Sequence, residues 1–158
     1  MNEEHKSVKE MWEKYLTSIG DDITKTDKKY TSWHFCDNEK DANELAQLVK
    51  EDVKKATASL YDLYEIEGEV LPKVSDLSII TDWNGIAKCI IKTTNITHVP
   101  FKDVTEDFAR TEGEGDKSLN YWRKAHIAAF SRGLKEFNQE FSEDMLVVCE
   151  VFKVVYKS

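Results

Sequence analysis

The chain has 158 residues, 41% of them hydrophobic, which suits one domain with a sizeable core. Its 30 acidic residues against 22 basic ones leave a formal net charge of −8. That balance argues against a broad electrostatic grip on long nucleic acid, which depends on neutralising many phosphates, and leaves room for a local basic cleft or a neutral ligand such as a nucleoside. No apolar run approaches the roughly 20 residues of a membrane helix. The N-terminus, MNEEHKSVKE, has no apolar segment of secretory type, so a cytoplasmic location without membrane contact is expected. Cys36, Cys89 and Cys149 are scattered and form no CxxC pair, which suggests reduced thiols and no zinc.

Residues 3–19 carry an apolar stripe of Val8, Met11, Trp12, Tyr15, Leu16 and Ile19, which predicts an amphipathic helix ended by Gly20. Such a stripe is expected to dock on the domain; pairing with a second copy of the chain, as a homodimer, is the alternative. The polar residues 21–30 read as a linker, so residues 1–30 form an appended helix and linker and 31–158 the folded domain. TSWHFC, 31–36, reads as a strand, and 39–52 as a helix with Ala42, Leu45, Ala46 and Val49 inward.

Residues 54–60 (KKATASL) read as helical, which would put Lys54 and Thr57 on one face. A lysine there can activate a hydroxyl nucleophile if burial lowers its pKa; the plain alternative is a solvated Lys54-Lys55 surface. Residues 61–75 look like a loop. LSIIT (77–81) and AKCIIKTTNITHV (87–99) read as strands joined by Asp-Trp-Asn-Gly, a strong hairpin signal. Asp103 or Thr105 caps a short helix through Arg110, and 145–157 is the most β-prone run of the chain. The fold class is therefore α+β, a mostly antiparallel sheet or barrel with helices to one side.

The densest chemistry lies in EGEGDKSLNYWRKAHIAAF, 112–130. Glu112, Glu114 and Asp116 alternate with Gly113 and Gly115, and Asp116 or Ser118 caps the helix that follows. On that helix Leu119, Trp122, His126 and Phe130 share a face, beside Tyr121 and Arg123. The plain reading makes Trp122 and Phe130 core and His126 a satisfied buried histidine. The acidic loop offers oxygens to a hard cation, but no accompanying ligand set is legible, so no metal is expected. No phosphate-binding glycine loop, GxSxG elbow or HExxH motif occurs, and no cofactor is expected.

Taken together, Trp33-His34-Phe35, the lysine–threonine run before Ser59-Leu60, and PFKDVTEDFARTEGEGDKSLNYWRKAH resemble the ASCH domain family, over roughly residues 31–157. The resemblance implies a PUA-like β-barrel with flanking helices, related to RNA-binding modules. The family's G-x-K-x-x-T run is matched by Lys54 and Thr57, with Asp52 at the family glycine. Cys36 stands where relatives commonly have glycine.

The resemblance also implies activities. One branch deacetylates N4-acetylcytidine with a lysine, a threonine and a glutamate; these roles fall on Lys54, Thr57 and Glu112. Thr57 would be the nucleophile, Lys54 its base or activator, and Glu112 a proton shuttle or the group that orients the lysine. Trp33, Tyr121 or Trp122 could stack a base and Arg123 could meet a phosphate, with Lys55, Glu114, Asp116, Ser118 and His126 as further substrate contacts. The rival readings are a non-catalytic RNA-binding module, with a basic cleft of Lys50, Lys54, Lys55 and Arg123, or a ribonuclease using the same cleft.

Overall fold

The computed structural model describes residues 3–158. In chain order the elements are α1 (Lys6–Ser18), β1 (Thr31–Trp33), α2 (Glu39–Lys50), β2 (Ala56–Leu60), α3 (Tyr61–Glu67), β3 (Leu77–Thr81), β4 (Ala87–Pro100), α4 (Glu106–Glu112), α5 (Leu119–Lys135) and β5 (Leu146–Lys157). The strands form one mixed sheet in the order β1-β3-β4-β5-β2. β1 runs parallel to β3, whereas β3–β4 and β2–β5 are antiparallel. The α+β class therefore holds, and the sheet is a half-barrel, because β1 and β2 end the order without pairing to each other.

Two segments differ from the sequence expectation. Residues 56–60 form a strand, not a helix, because pairing with β5 overrides local propensity. Residues 61–67 form a helix, not a loop, and Gly68 ends it in the left-handed conformation. The strand expected over 31–36 stops at Trp33.

The chain divides into two compact units. The first comprises Met1–Asp52, Ser75–Lys92 and Lys153–Ser158. Its core joins Val8, Met11, Trp12, Tyr15 and Leu16 of α1 to Ile79 of β3 and Ala87 and Ile90 of β4. The α1 stripe is thus spent on intramolecular packing, with Trp12 also against Tyr30 at 4.7 Å between ring centroids. The expected hairpin is present: the Asp82 carboxylate accepts from the backbone N–H groups of Asn84 and Ile86.

The second unit comprises Val53–Val74 and Thr93–Phe152. Leu60, Phe101, Val104, Ala109, Trp122, Phe130, Leu134, Val147 and Cys149 form its core. α4 packs along β2, and the Lys55 N–H donates to the Thr111 carbonyl at 3.0 Å. The last turn of α4 therefore sits against the chain entering the edge strand, which protects that edge from further pairing.

Cys36 and Asp52, the two positions where the resemblance expects glycine, both have positive φ, 61° and 62°. The backbone keeps a glycine conformation that a Cβ disfavours by roughly 1–2 kcal/mol. Replacing Cys36 by glycine is expected to stabilise the protein by about 1 kcal/mol in urea unfolding. Trp12→Ala is expected to cost about 3–5 kcal/mol in the same measurement, because it empties the largest buried side chain of α1.

Candidate functional site

Thr105 caps α4 by accepting from the Phe108 N–H at 3.1 Å, and the helix runs to Glu112. Gly113 then turns the chain at φ 75°, and a Cβ there would collide with the Val53 carbonyl. The missing side chain lets the end of α4 press against the backbone that leads into Lys54. Gly115, at φ 58°, likewise leaves room for the Tyr121 ring. Ser118 caps α5 by accepting from the Tyr121 N–H at 3.0 Å, and Asp116 accepts from the Ser118 N–H at 2.9 Å.

This arrangement buries a lysine. Lys54 is 1% exposed, and its ammonium donates to Ala56 O at 2.8 Å, Glu114 Oε2 at 3.0 Å and Glu112 Oε2 at 3.3 Å. Those acceptors match the three protons of an ammonium. Glu112 is buried as well. Its Oε1 accepts from the Trp122 indole N–H at 2.8 Å, and its Oε2 lies 3.2 Å from His126 Nε2. His126 Nδ1 lies 2.8 Å from the Trp122 carbonyl. A carbonyl only accepts, so Nδ1 carries a proton; beside an ionised Glu112, Nε2 carries the other and the ring is cationic. The imidazolium stacks on the Trp122 indole at 4.2 Å and 18°, which adds a cation–π attraction.

The protonation states follow from this geometry. Burial pulls the Lys54 pKa down, but the Glu112 and Glu114 carboxylates outweigh it and the pKa is raised. Burial likewise works against the His126 cation, and Glu112 overcomes it, so His126 is also raised. For Glu112 burial pushes up, while Lys54 and His126 hold the carboxyl well below its usual range. Glu114 goes the other way. Burial, then its hydrogen bond with Glu112, push its carboxyl up to about 7. Its side chain is 20% exposed, against 2% for Glu112 and 1% for Lys54, so Glu114 is where this charged group meets solvent.

Glu112, Glu114 and His126 each offer a ligand atom within 4.8 Å of one another, the one such set of at least three among the described residues. The Lys54 ammonium lies against both carboxylates, 3.3 Å from Glu112 and 3.0 Å from Glu114.

The other residues singled out from sequence fall differently. Thr57 lies on β2, not on a shared helical face with Lys54, and its Cα partner is Glu150. The raised Lys54 pKa removes the condition under which that lysine would serve as a base. The Trp122 ring is buried in the core and offers no face for stacking, whereas Tyr121 is 42% exposed. Lys55 has an exposed side chain, and its carbonyl accepts from the Phe152 N–H. Arg123, also exposed, donates to Lys102 O at 3.3 Å. Trp33 belongs to the first unit, where its ring meets Phe35 edge-on at 4.9 Å. Sequence reasoning missed Glu150, which accepts from Thr93 Oγ1 at 2.7 Å; the signal was a lone carboxylate inside the apolar run LVVCEVF.

These shifts fix a pH dependence. Glu114 has its folded pKa raised from 4.5 to about 7, so its stabilising contribution is complete below 4.5 and is lost as pH rises through 7. His126, also raised, loses its contribution as pH rises beyond 6.5. Glu112, depressed, loses its contribution only as pH falls below 4.5. The melting temperature is expected to fall from about pH 5 to pH 8, and Glu114→Gln to flatten the part of that fall below about pH 7. A slope unchanged in the variant would count against this ionisation scheme.

The ASCH domain model matches residues 31–156. The solved ASCH domain from Lactobacillus crispatus is 39% identical with a TM-score of 0.90, over 99% of this chain and 98% of that one. A solved protein of the DUF984 family from Enterococcus faecalis is 35% identical with a TM-score of 0.84, over 96% and 90% of the two chains. No curated protein matches the chain. Among the described residues no helix is long and apolar enough to cross a membrane. The match over most of the length, together with the half-barrel and its flanking helices, shows that the chain belongs to the ASCH domain family, whose fold is PUA-like.

Proposed function

We propose that this ASCH domain binds a nucleobase or nucleoside beside Glu114 and hydrolyses the amide of an N4-acylated cytidine. One observation carries the reading: Glu114 is the solvent-facing member of a buried charged cluster, and its carboxyl sits at about 7. A carboxyl that titrates near neutrality can take a proton and return it at the working pH, which ordinary glutamates near 4.3 do poorly. Strongly shifted carboxyls beside a fixed charge partner also favour functional sites over surface.

The roles follow from exposure and charge. The Glu114 carboxylate removes a proton from a water whose oxygen attacks the acyl carbonyl carbon. The C–N4 bond then breaks as Glu114 returns that proton to the amine, leaving a carboxylic acid and cytidine. Glu112 touches no solvent; it holds Lys54 and His126 in place. Lys54 acts as a fixed positive charge beside Glu114, not as a base. Thr57, on β2, is a ligand contact in this reading, and water is the attacking group.

The PUA-like fold is often linked to RNA binding, so the rival is a non-catalytic RNA module. The basic cleft that such binding needs is weakened, because Lys54 at its centre is buried and neutralised by two glutamates.

Glu114→Gln is expected to remove most turnover of an N4-acylated cytidine, by about 100-fold or more. In the wild type kcat/KM should rise with pH through an apparent pKa near 7. Thr57→Ala is expected to keep most of the rate; a loss as large as that of Glu114→Gln would make Thr57 the attacking group. An inactive wild type whose affinity for short RNA falls steeply with salt would favour the rival.

A further inference from the structure

The hydrolytic reading leaves one buried titratable group of the second unit without a role in the chemistry. His126 lies on α5 one turn beyond Trp122, and its ring is held from several sides. Nδ1 donates to the Trp122 carbonyl at 2.8 Å, and Nε2 lies 3.2 Å from Glu112 Oε2. The Trp122 indole stacks on the ring, and Phe130 meets it edge-on at 5.4 Å. With 9% of its surface exposed and both nitrogens engaged, His126 is neither a substrate contact nor a proton shuttle.

A neutral donor would satisfy that oxygen of Glu112 with a hydrogen bond alone. An imidazolium brings a charge as well. The facing atoms of Glu112, Glu114 and His126 lie within 4.8 Å of one another, and the Lys54 ammonium lies against both carboxylates. Two cations face two carboxylates, so the group is neutral with both glutamates ionised. With Lys54 as the sole cation, the same two charges would leave one negative charge buried, and such a pair keeps a proton between its members. A proton kept there would block Glu114 as a base. From β5 the Cys149 thiol also faces Glu112; burial and then that carboxylate push it up to about 12, so it stays neutral and adds no charge.

We propose that His126 is a positioning residue for Glu114: its imidazolium is the second cation that lets Glu112 and Glu114 be charged together, so that Glu114 can take a proton from water. Burial opposes the His126 cation, and the Glu112 charge overcomes it. Burial and the Glu112 bond push the Glu114 carboxyl up, and the His126 charge works against both. This role rests on the hydrolytic reading above, but the ionic arrangement behind it does not.

The test is a carbon-13 NMR titration of the Glu114 carboxyl in the full chain, in wild type and in His126→Gln, beside kcat/KM for N4-acetylcytidine against pH. Glutamine keeps a donor toward Glu112 and drops the charge. The Glu114 midpoint is expected to lie about one pH unit higher in the variant, since a unit charge within 4.8 Å is lost. kcat/KM should follow it, about tenfold below wild type near pH 6 and close to wild type above about pH 9. Phe130→Leu loosens the packing on the same ring without removing the charge, and should leave the midpoint where it is. A midpoint unmoved in His126→Gln, or moved as far in Phe130→Leu, overturns the proposal, as does a loss of rate equal at every pH. If His126→Gln does not fold, nitrogen-15 NMR of the wild type decides. An imidazole that keeps both protons through the Glu114 midpoint supports the proposal, and one that gives up a proton below that midpoint overturns it. A midpoint that moves in a protein that turns over no N4-acetylcytidine supports the hold of His126 on Glu114 and removes the hydrolytic reading alone.

Discussion

A buried ammonium is the constraint on which the second unit is built. Taking an isolated lysine charge out of water costs several kcal/mol even after relaxation, so Lys54 is tolerable only with its protons satisfied and its charge met. Both conditions are fulfilled by one near neighbour, the Ala56 carbonyl on the edge strand, and two groups distant in sequence, Glu112 at the end of α4 and Glu114 just beyond it. Gly113 makes the approach sterically feasible, since any side chain there would strike the Val53 carbonyl. The indole of Trp122 then fixes the far oxygen of Glu112, and His126 balances the nearer one. Loss of one member leaves the others as uncompensated buried charge, which is why the cluster behaves as a unit.

The same electrostatics divide two similar carboxylates into different roles. Glu112, between two cations and a donor, is held ionised. Glu114, two residues on and past the left-handed Gly113, is bonded to an ionised neighbour and pushed toward the neutral form. Carboxyls set apart in this way by their surroundings are the pattern by which acid and base roles are assigned in enzymes. The close spacing of Glu112, Glu114 and His126 reflects the same convergence, and the Lys54 ammonium lies 3.0 Å from Glu114.

Much of this was legible in the residues. The α1 stripe, the β3–β4 hairpin, caps for α4 and α5 at one of the two residues expected for each, and the face shared by Trp122, His126 and Phe130 all rest on local signals and were legible, whereas the α3 helix over 61–67 was expected as a loop. Residues 56–60 were not legible either, because a five-residue run of alanine, threonine and serine ending in leucine has no decisive period and its state is set by pairing with β5. That error carried over to Lys54 and Thr57, whose expected shared helical face depended on it. The convergence of Lys54 with Glu112 was implied by the resemblance, but its consequence, a lysine pKa raised by Glu112 and by Glu114 at 3.0 Å, follows only from the geometry. At Cys36 and Asp52, where the resemblance expects glycine, the backbone lies in the left-handed region although neither residue is glycine.

The central claim is that one glutamate of the cluster stays ionised while its neighbour titrates near neutrality. A carbon-13 NMR titration of the glutamate side-chain carboxyls, with Glu112 and Glu114 assigned, reads this directly. The account expects the Glu114 carboxyl to move with a midpoint near 7 and the Glu112 carboxyl to stay in its ionised position down to well below 4.5. Two carboxyls titrating together near 4.5 would contradict it.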